Sequence, residues 1–455
     1  MPPHSPPDSP SGWARVTRLL GVNSAVTYAV AARIWQLLSS PITGALIIFC
    51  FSPGVRGYYF VFLSLLQLQT FVELGTQWAI LYVASHEWAQ LGLQEDGRIV
   101  GDETALSRLA SMTRLARNWF VAAAVLFVVI AGTAGLVIFS QKGANVAWFA
   151  PWVSLVLLAG AGLVLSPYIS VLEGCDQMAT VNVFRLRQAV TGSLVVWSAI
   201  LLGAELWVGL VALGMQVLWE VLLLARFRKF WQSLPAGGEA FPWRREVWPL
   251  QWRLAVQSIF RYFAFGLFST VTFIYHGEIL AGRVGMTWMV LTALQQAAFA
   301  WIRTRAPTFG ALITRKEYVA LDRLFCHLTA VSMAMYFLAL TLFCVAIWLV
   351  NLWEDPVSRT LSTGLLPLKP TIIFSVAMLL AHLAQCFGVY LRAHKRDPLL
   401  WLTVVANSII GLLVWQVGGR FGILPAAVSF LTVIALITVP GTTLIWLRCR
   451  TEWHR

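Results

Sequence analysis

Seven polar side chains lie inside segments that are otherwise apolar, and their types suit them to bind a charged or hydroxylated ligand. They are Arg33, Gln67, Gln69, Glu73, Arg261, Gln295 and Gln296. An arginine deep in a bilayer costs at least about 2.5 kcal/mol, so such residues usually face a bundle interior or a water-filled cavity. A guanidinium group attracts anions, and a glutamine amide both donates and accepts hydrogen bonds. We therefore predict these seven residues to line a substrate cavity.

Each of these side chains also has a plain structural interpretation. The guanidinium of Arg33 or Arg261 could reach the membrane interface while its aliphatic part stays in lipid. Glu73 could pair with either arginine, or it could bind a coupling proton or cation. The glutamines could form contacts between helices, worth about 0.6 kcal/mol each. The sequence leaves these alternatives open.

Other residues with reactive side chains are interpreted as structural. Glu278 and Arg283 flank a predicted turn and are expected to be solvated loop charges, and His382 is expected to be a hydrogen-bonded histidine within a span. The six cysteines show no CxxC spacing, so we predict free thiols and no metal site. We find no phosphate-binding glycine loop and no HExxH motif. The sequence thus predicts neither a cofactor nor an enzyme.

The composition predicts an integral membrane protein. Hydrophobic residues make up 58% of the chain and charged residues 12%, whereas a soluble domain carries about a quarter charged residues. The formal net charge is +13, which in a soluble protein would suggest nucleic acid as a partner. Here the arginines lie in short loops, so we attribute the charge to membrane topology and predict no nucleic-acid partner. Contact of these loops with anionic membrane lipids stays an open alternative.

The segment from Gly57 to Glu87 organises the chain, because a weaker copy of it begins at Gly285. It reads GYYFVFLSLLQLQTFVELGTQWAILYVASHE and is predicted to be one membrane-spanning helix. Gly57 and Gly285 lie 228 residues apart, and the same offset carries Arg33 to Arg261. The pattern therefore predicts two homologous halves, each with one such helix facing a cavity.

The apolar segments predict an all-α polytopic membrane protein with about twelve transmembrane helices in two parallel six-helix repeats. We predict a disordered tail over 1–23, halves at 24–225 and 251–447, a cytoplasmic linker over 226–250 and a cytoplasmic tail over 448–455. With both termini in the cytoplasm, 26 of the 33 lysines and arginines lie on the cytoplasmic side and six on the other. Parallel repeats of this kind suit a transporter with its substrate site between the halves, near the bilayer midplane.

The organising segment resembles the second helix of the multidrug/oligosaccharidyl-lipid/polysaccharide (MOP) flippase superfamily. Members tend to show a glycine–aromatic opening, an apolar run, and an acidic residue two positions before a glycine. Here these are Gly57–Tyr58–Tyr59–Phe60, then Glu73 and Gly75. The two-half, twelve-span plan extends the resemblance over nearly the whole chain, and the polysaccharide branch looks closer than the drug-export branch. One departure is Glu73, where relatives often have aspartate.

The resemblance implies a V-shaped pair of six-helix bundles that flips an undecaprenyl-diphosphate-linked oligosaccharide across a bacterial inner membrane. Its partners would be the lipid-linked saccharide, membrane lipids and other polysaccharide-assembly proteins. Arg33 and Arg261 would attract the diphosphate, and the glutamines would contact sugars. Two alternatives are a cation-coupled multidrug exporter, which predicts an acidic cavity, and a membrane glycan polymerase or ligase, which commonly needs a long outer loop.

Overall fold

The computed structural model describes most of the chain as a bundle of helices. It describes residues 24–142, 146–237, 241–243, 247–353, 355–394 and 396–454. The tail predicted over 1–23 lies outside the described residues.

The first half contains the helices α1 to α9 and one short β-hairpin. In chain order the elements are α1 Ser24–Cys50, α2 Pro53–Leu66, α3 Gln69–Glu73, α4 Thr76–Trp88, β1 Leu91–Leu93, β2 Ile99–Gly101, α5 Glu103–Ser140, α6 Phe149–Gly174, α7 Met178–Leu201, α8 Trp207–Arg226 and α9 Arg228–Gln232. The two strands pair antiparallel, with Gly92 opposite Val100.

The second half contains α10 to α20, and two π-helical turns interrupt its last helices. The elements are α10 Trp248–Phe265, α11 Leu267–His276, α12 Glu278–Arg303, α13 Ala306–Thr314, α14 Tyr318–Leu352, α15 Pro356–Gly364, α16 Leu368–Ala393, α17 Leu400–Leu413, π1 Val414–Gly418, α18 Gly419–Phe421, α19 Ile423–Val433, π2 Ile434–Thr438 and α20 Val439–Trp453. Helix α20 thus continues into the segment that was predicted as a tail after residue 447.

Local sequence sets several of these helix starts. Ser52 accepts a hydrogen bond from the backbone N–H of Val55 at the start of α2, and Pro53 follows it. Asp102 accepts one from Ala105 at the start of α5. A side-chain oxygen at this position satisfies a backbone donor that the first helical turn leaves free.

The predicted fold class is confirmed, although the spans are not equally apolar. Among the described residues, eight helices are long and apolar enough to cross a membrane, and the bent pair α10–α11 makes a ninth. The three further spans of the twelve-helix plan are α2–α4, α7 and α12, which carry more polar residues. Polar spans of this kind survive in a membrane protein when the bundle shields them from lipid.

The prediction of one uninterrupted helix from Gly57 to Glu87 is wrong. Helix α2 ends at Leu66, and α3 is separated from α4 by Leu74 and Gly75, whose φ angles are +50° and +66°. A left-handed residue cannot continue a right-handed helix. Glycine adopts this conformation without cost, whereas leucine does so against steric strain. The break directly follows Glu73.

The two ends of the bundle differ in the structures that cover them. We call them the hairpin end, where the β1–β2 hairpin lies, and the α15 end, where α15 lies; these are the predicted cytoplasmic and outer sides. Helix α5 has 38 residues, about 57 Å at 1.5 Å per residue, and its first turns extend past the span to pack against the hairpin.

Residues after α8 also pack on the first half at the hairpin end. The backbone N–H of Phe241 donates to Ser111 Oγ over 3.0 Å, and the backbone N–H of Ile99 donates to Ser233 Oγ over 3.3 Å. Arg114 donates to the carbonyl of Pro235. Much of the segment predicted as a linker between the halves is therefore attached to the first half.

The halves contact each other mainly where α2 meets α11 and α12. A Cβ added at Gly57 would overlap the backbone of Glu278, and one added at Gly285 would overlap the ring of Phe60. Deeper along α2, Ser64 Oγ lies 2.9 Å from Thr270 Oγ1. The two glycines that mark the repeat are thus the positions where the backbones of α2 and α12 approach closely.

Candidate functional site

A cavity of about 1050 Å³ lies within the first half, towards the hairpin end. Side chains from α1, α3, α4, α6, α7 and α8 line it, and Arg303 at the end of α12 closes it from the second half. The residues that line this cavity thus come almost entirely from the first half, whereas the sequence predicted a site between the halves near the midplane.

The cavity carries three arginines and three glutamates, so its formal charges cancel. They are Arg33, Arg185, Arg303, Glu73, Glu173 and Glu220. Arg185 and Glu173 form an ion pair. Gln216 Nε2 donates to Glu220 over 2.9 Å, and Arg33 Nη1 donates to Gln36 Oε1 over 3.2 Å.

Arg33 and Glu73 face the cavity without an opposite charge paired to them among the described residues. The positive charges of Arg303 and Arg185 both act on Arg33. Within the described part of the chain, no hydrogen bond or ion pair holds the Glu73 carboxylate. Arg185 is paired with Glu173, so Arg33 and Arg303 are the guanidinium groups that would attract an anion here.

The neutral part of the lining is rich in amides and hydroxyls. They come from Gln36, Gln69, Gln77, Gln188, Gln216, Asn182, Thr43, Ser166, Ser170 and Ser193. Phe184 and Trp219 supply its aromatic surface. Pockets for small apolar ligands are lined mostly by hydrophobic and aromatic side chains. About half of the residues lining this cavity are polar, so it offers hydrogen bonds to a hydrophilic group.

The structure brings three of the seven predicted residues into this cavity, namely Arg33, Gln69 and Glu73. The other four do not line it. Gln67 is exposed at the break after α2, Gln296 is exposed on α12, and Gln295 is buried at 9% exposure. Arg261 lies on α10 in the second half, where the charge of Arg392 acts on it. The predicted pairing of Glu73 with Arg33 or Arg261 does not form.

Four charged residues of the cavity were missed by the sequence reasoning. Glu173 lies in the last turn of α6, and Arg185 lies on α7. Arg303 is the last residue of α12. Glu220 could have been identified from the sequence, since it is a lone carboxylate in the apolar run VLWEVLLLA.

Residues set aside as structural fall into two groups. The six cysteines are free, and His382 lies within 2.8 Å of Ser332 Oγ in the core of the second half, as expected for a hydrogen-bonded histidine. In the described part of the chain, no cluster of three histidine, cysteine or acidic residues could hold a metal ion. Arg283, expected as a solvated loop charge, instead donates from Nε to the carbonyl of Thr363 over 3.0 Å.

Comparisons with known proteins agree on the fold. No family model matches the chain, and no curated protein sequence matches it. Among solved structures, a complex of the MATE multidrug transporter DinF-BH is similar, with 14% identity, coverage of 95% of this chain and 96% of that one, and a TM-score of 0.60. A MOP superfamily transporter from Pyrococcus furiosus is similar with 12% identity, the same coverages and a TM-score of 0.56.

The chain therefore has the fold of these structures, a multi-pass bundle of membrane-spanning helices in two repeats. The similar structures are transporters, and they share the twelve-helix, two-repeat plan with this chain. Structural similarity at such low sequence identity shows the fold alone, so the substrate has to be inferred from the cavity.

Proposed function

We propose that this chain flips a polyprenyl-diphosphate-linked oligosaccharide across the bacterial inner membrane by alternating access. One observation carries the proposal, which is the set of amide and hydroxyl side chains in a cavity lining that is about half polar. Five glutamines, with serines and a threonine, offer paired donors and acceptors, as the hydroxyl groups of a saccharide require. An aromatic, apolar lining would have favoured a hydrophobic drug.

The arginines of the same cavity supply a place for the diphosphate. Arg33 and Arg303 approach each other from α1 and α12, so one belongs to each half. A guanidinium binds phosphate oxygens in bidentate fashion. A ligand held between them would couple movement of one half to movement of the other, as alternating access requires.

The membrane, its sidedness and the partners belong to the same proposal. The excess of lysine and arginine at the hairpin end supports a cytoplasmic position for that end and for both termini. Loading at that end would deliver the saccharide to the outside, where assembly proteins for surface polysaccharide would use it. Membrane lipids would surround the bundle as its solvent.

A cation-coupled multidrug exporter is the second candidate, and the three cavity carboxylates favour it. Glu73 and Glu220 could bind a cationic substrate or a coupling cation, and similar structures include MATE multidrug transporters. The three arginines and three glutamates of the cavity cancel, so its net charge favours neither candidate. A polymerase or ligase commonly needs a long outer loop. The connection between α14 and α16 offers little, since the nine residues of α15 occupy most of it.

Lipid analysis of cells that lack the gene tests the proposal. Complementation with wild type should clear an accumulated polyprenyl-diphosphate oligosaccharide detected by mass spectrometry. The Arg303→Gln variant should clear it poorly. Arg261→Gln, which removes an exposed arginine of α10 that does not line the cavity, should clear it normally. If no such lipid accumulates, the flippase proposal fails. Efflux of a cationic dye that depends on Glu73 would then support the exporter.

A further inference from the structure

Arg56 is buried at the α15 end without partners for much of its guanidinium. It lies in the first turn of α2 and is 4% exposed. Its Nε and Nη1 atoms have no hydrogen-bond partner in the described part of the chain. Its burial and the lack of partners for these two atoms depend on contacts between distant parts of the chain.

The enclosure of Arg56 is built from both halves. A Cβ added at Gly282 on α12 would lie 3.2 Å from the Cβ of Arg56. A Cβ added at Gly364 on α15 would lie 2.8 Å from the Nη1 atom of Arg56. Both glycines therefore make room for this side chain. Because α12 and α15 belong to the second half, the guanidinium is covered only while the halves are in contact at this end.

The surroundings of Arg56 are electrostatically positive. Arg283 is close enough for its charge to act on Arg56, and it extends to the carbonyl of Thr363. The N-terminus of α2 adds the positive end of a helix dipole. Glu278 contacts Gly54 and Gly57 in the same corner, but no ion pair joins it to Arg56 among the described residues.

This arrangement costs free energy in the closed state. A buried charge without a paired counter-charge loses its hydration, which is unfavourable. The cost would disappear if water or an anion reached the guanidinium. Close packing at the glycines therefore stabilises the contact between α2 and α12, whereas the buried charge of Arg56 destabilises it. An anion that reached the guanidinium would remove this destabilisation.

We propose that Arg56 and Arg283 form a binding site for a phosphate or diphosphate group, covered while the α15 end is closed and exposed when α2 and α12 separate. Each half contributes one arginine, in each case shortly before a repeat glycine, Gly57 or Gly285. This site adds an anion site at the α15 end to the proposed function. It rests on that function only for the identity of the natural ligand, a lipid-linked diphosphate.

Diphosphate binding to a protein that can be locked shut tests the site. In a background without the native cysteines, Gly54→Cys and Glu278→Cys place two thiols across the closed contact, where a Cβ at Gly54 would lie 3.6 Å from Glu278 Cγ. We would titrate inorganic diphosphate calorimetrically into this protein in phosphatidylcholine nanodiscs. The background also carries Arg303→Gln, so that the cavity of the first half contributes less to binding. The reduced form should then bind, and the oxidised form should bind at least about tenfold more weakly, the equivalent of about 1.4 kcal/mol. Equal affinity in the two forms would overturn the proposal.

Substitutions in the reduced protein identify the residue. Arg56→Gln should weaken diphosphate binding by about tenfold or more, and Arg56→Lys should keep part of it. Arg420→Gln, which removes an exposed arginine at the same end, should bind as the parent does. Thermal unfolding checks the fold, and Arg56→Gln should not unfold earlier because it removes an unpaired charge. Unchanged binding in Arg56→Gln would place the anion elsewhere and refute the site.

Lipid composition distinguishes the sources of the phosphate. If phosphatidylglycerol in the nanodisc abolishes diphosphate binding, the site takes the phosphate of a lipid head group. If binding persists, the site takes a diphosphate in preference to that head group. Accumulation of a lipid-linked oligosaccharide in cells is a separate readout, so the flippase proposal and the anion site can fail independently.

Discussion

Gln251 Nε2 donates a hydrogen bond to Thr76 Oγ1 over 2.7 Å and so joins the second half to the first at the hairpin end. Both side chains are almost fully buried, at 1% and 0% exposure. Trp243 Nε1 donates to the other end of the same amide over 2.8 Å. Thr76 begins α4 directly after the left-handed pair Leu74–Gly75. The bond therefore fixes the helix break beside Glu73 to the first helix of the second half.

Removing the acceptor of this bond should loosen the hairpin end. Thr76→Val keeps the side-chain shape and leaves the Gln251 amide buried without an acceptor, at a cost of about 1–3 kcal/mol. Hydrogen exchange of peptides covering 76–88 and 248–265 should then quicken. Thr133→Val removes an exposed hydroxyl that bonds to its own helix, and it should leave those peptides unchanged. Equal exchange in wild type and Thr76→Val would show that this hydrogen bond does not stabilise the hairpin end.

The glycine contact at the α15 end should not tolerate a methyl group. In Gly57→Ala the new Cβ would overlap the backbone carbonyl of Glu278, and overpacking of this kind typically costs about 1–3 kcal/mol. The α15 end should open more often, which labelling of a cysteine at position 54 would detect as faster modification. Gly132→Ala is the matched control, because nothing lies within 4 Å of its Cβ and alanine favours helix by up to about 1 kcal/mol. Slow labelling in Gly57→Ala would contradict the steric argument.

Asp322 should stabilise the second half at the hairpin end. It accepts hydrogen bonds from Tyr390 Oη over 2.6 Å and from Arg450 Nε over 2.7 Å, and so connects α14, α16 and α20. Asp322→Asn cannot accept from both in the same way. Because Arg450 is 42% exposed, we expect a loss of about 1 kcal/mol, seen as earlier thermal unfolding. Asp96→Asn breaks an exposed pair with Arg98 and should leave the unfolding temperature unchanged, whereas equal effects would refute a special role for Asp322.

The start of α15 should depend on pH. Asp355 accepts hydrogen bonds from the hydroxyl and the backbone N–H of Ser358 and from the backbone N–H of Val357. These bonds, that of the Ser358 hydroxyl most of all, hold the pKa of the Asp355 carboxyl below its ordinary value. A lowered pKa in the folded state means that the carboxylate stabilises the helix above the ordinary value of about 3.9, and that this support is lost as the pH falls through the folded-state pKa. Hydrogen exchange over 356–364 should quicken at such a pH. Asp355→Asn, whose amide oxygen still caps, should remove the pH dependence; a dependence that survives in it would exclude Asp355 as the cause.

The architecture could be predicted from the sequence because it follows from local properties. Apolar runs long enough to cross a bilayer, and the repeat that relates Gly57 to Gly285, predicted an all-α protein in two halves, and the fold agrees. Composition carries this information because lipid offers no hydrogen bonds, so an apolar segment that spans it must be helical.

The candidate site was only partly predictable, and the residues show why. Arg33, Gln69 and Glu73 were identified because a polar side chain in an apolar run is costly and therefore conspicuous. Glu173, Arg185 and Arg303 were missed because they lie near helix ends, where a charge is unremarkable in sequence. Arg261 was placed in the cavity by the repeat, but the second half does not present it there.

The sequence by itself determined the class of the protein, its helices and its internal repeat. Tertiary structure decided which charges share a cavity, where the second helix breaks, and that Arg56 is enclosed without partners for two of its nitrogens among the described residues. These depend on contacts between residues far apart in the chain, such as Gly57 with Glu278 and Thr76 with Gln251. Hydropathy reports the cost of placing one side chain in lipid, whereas the arrangement of charges depends on which helices pack together.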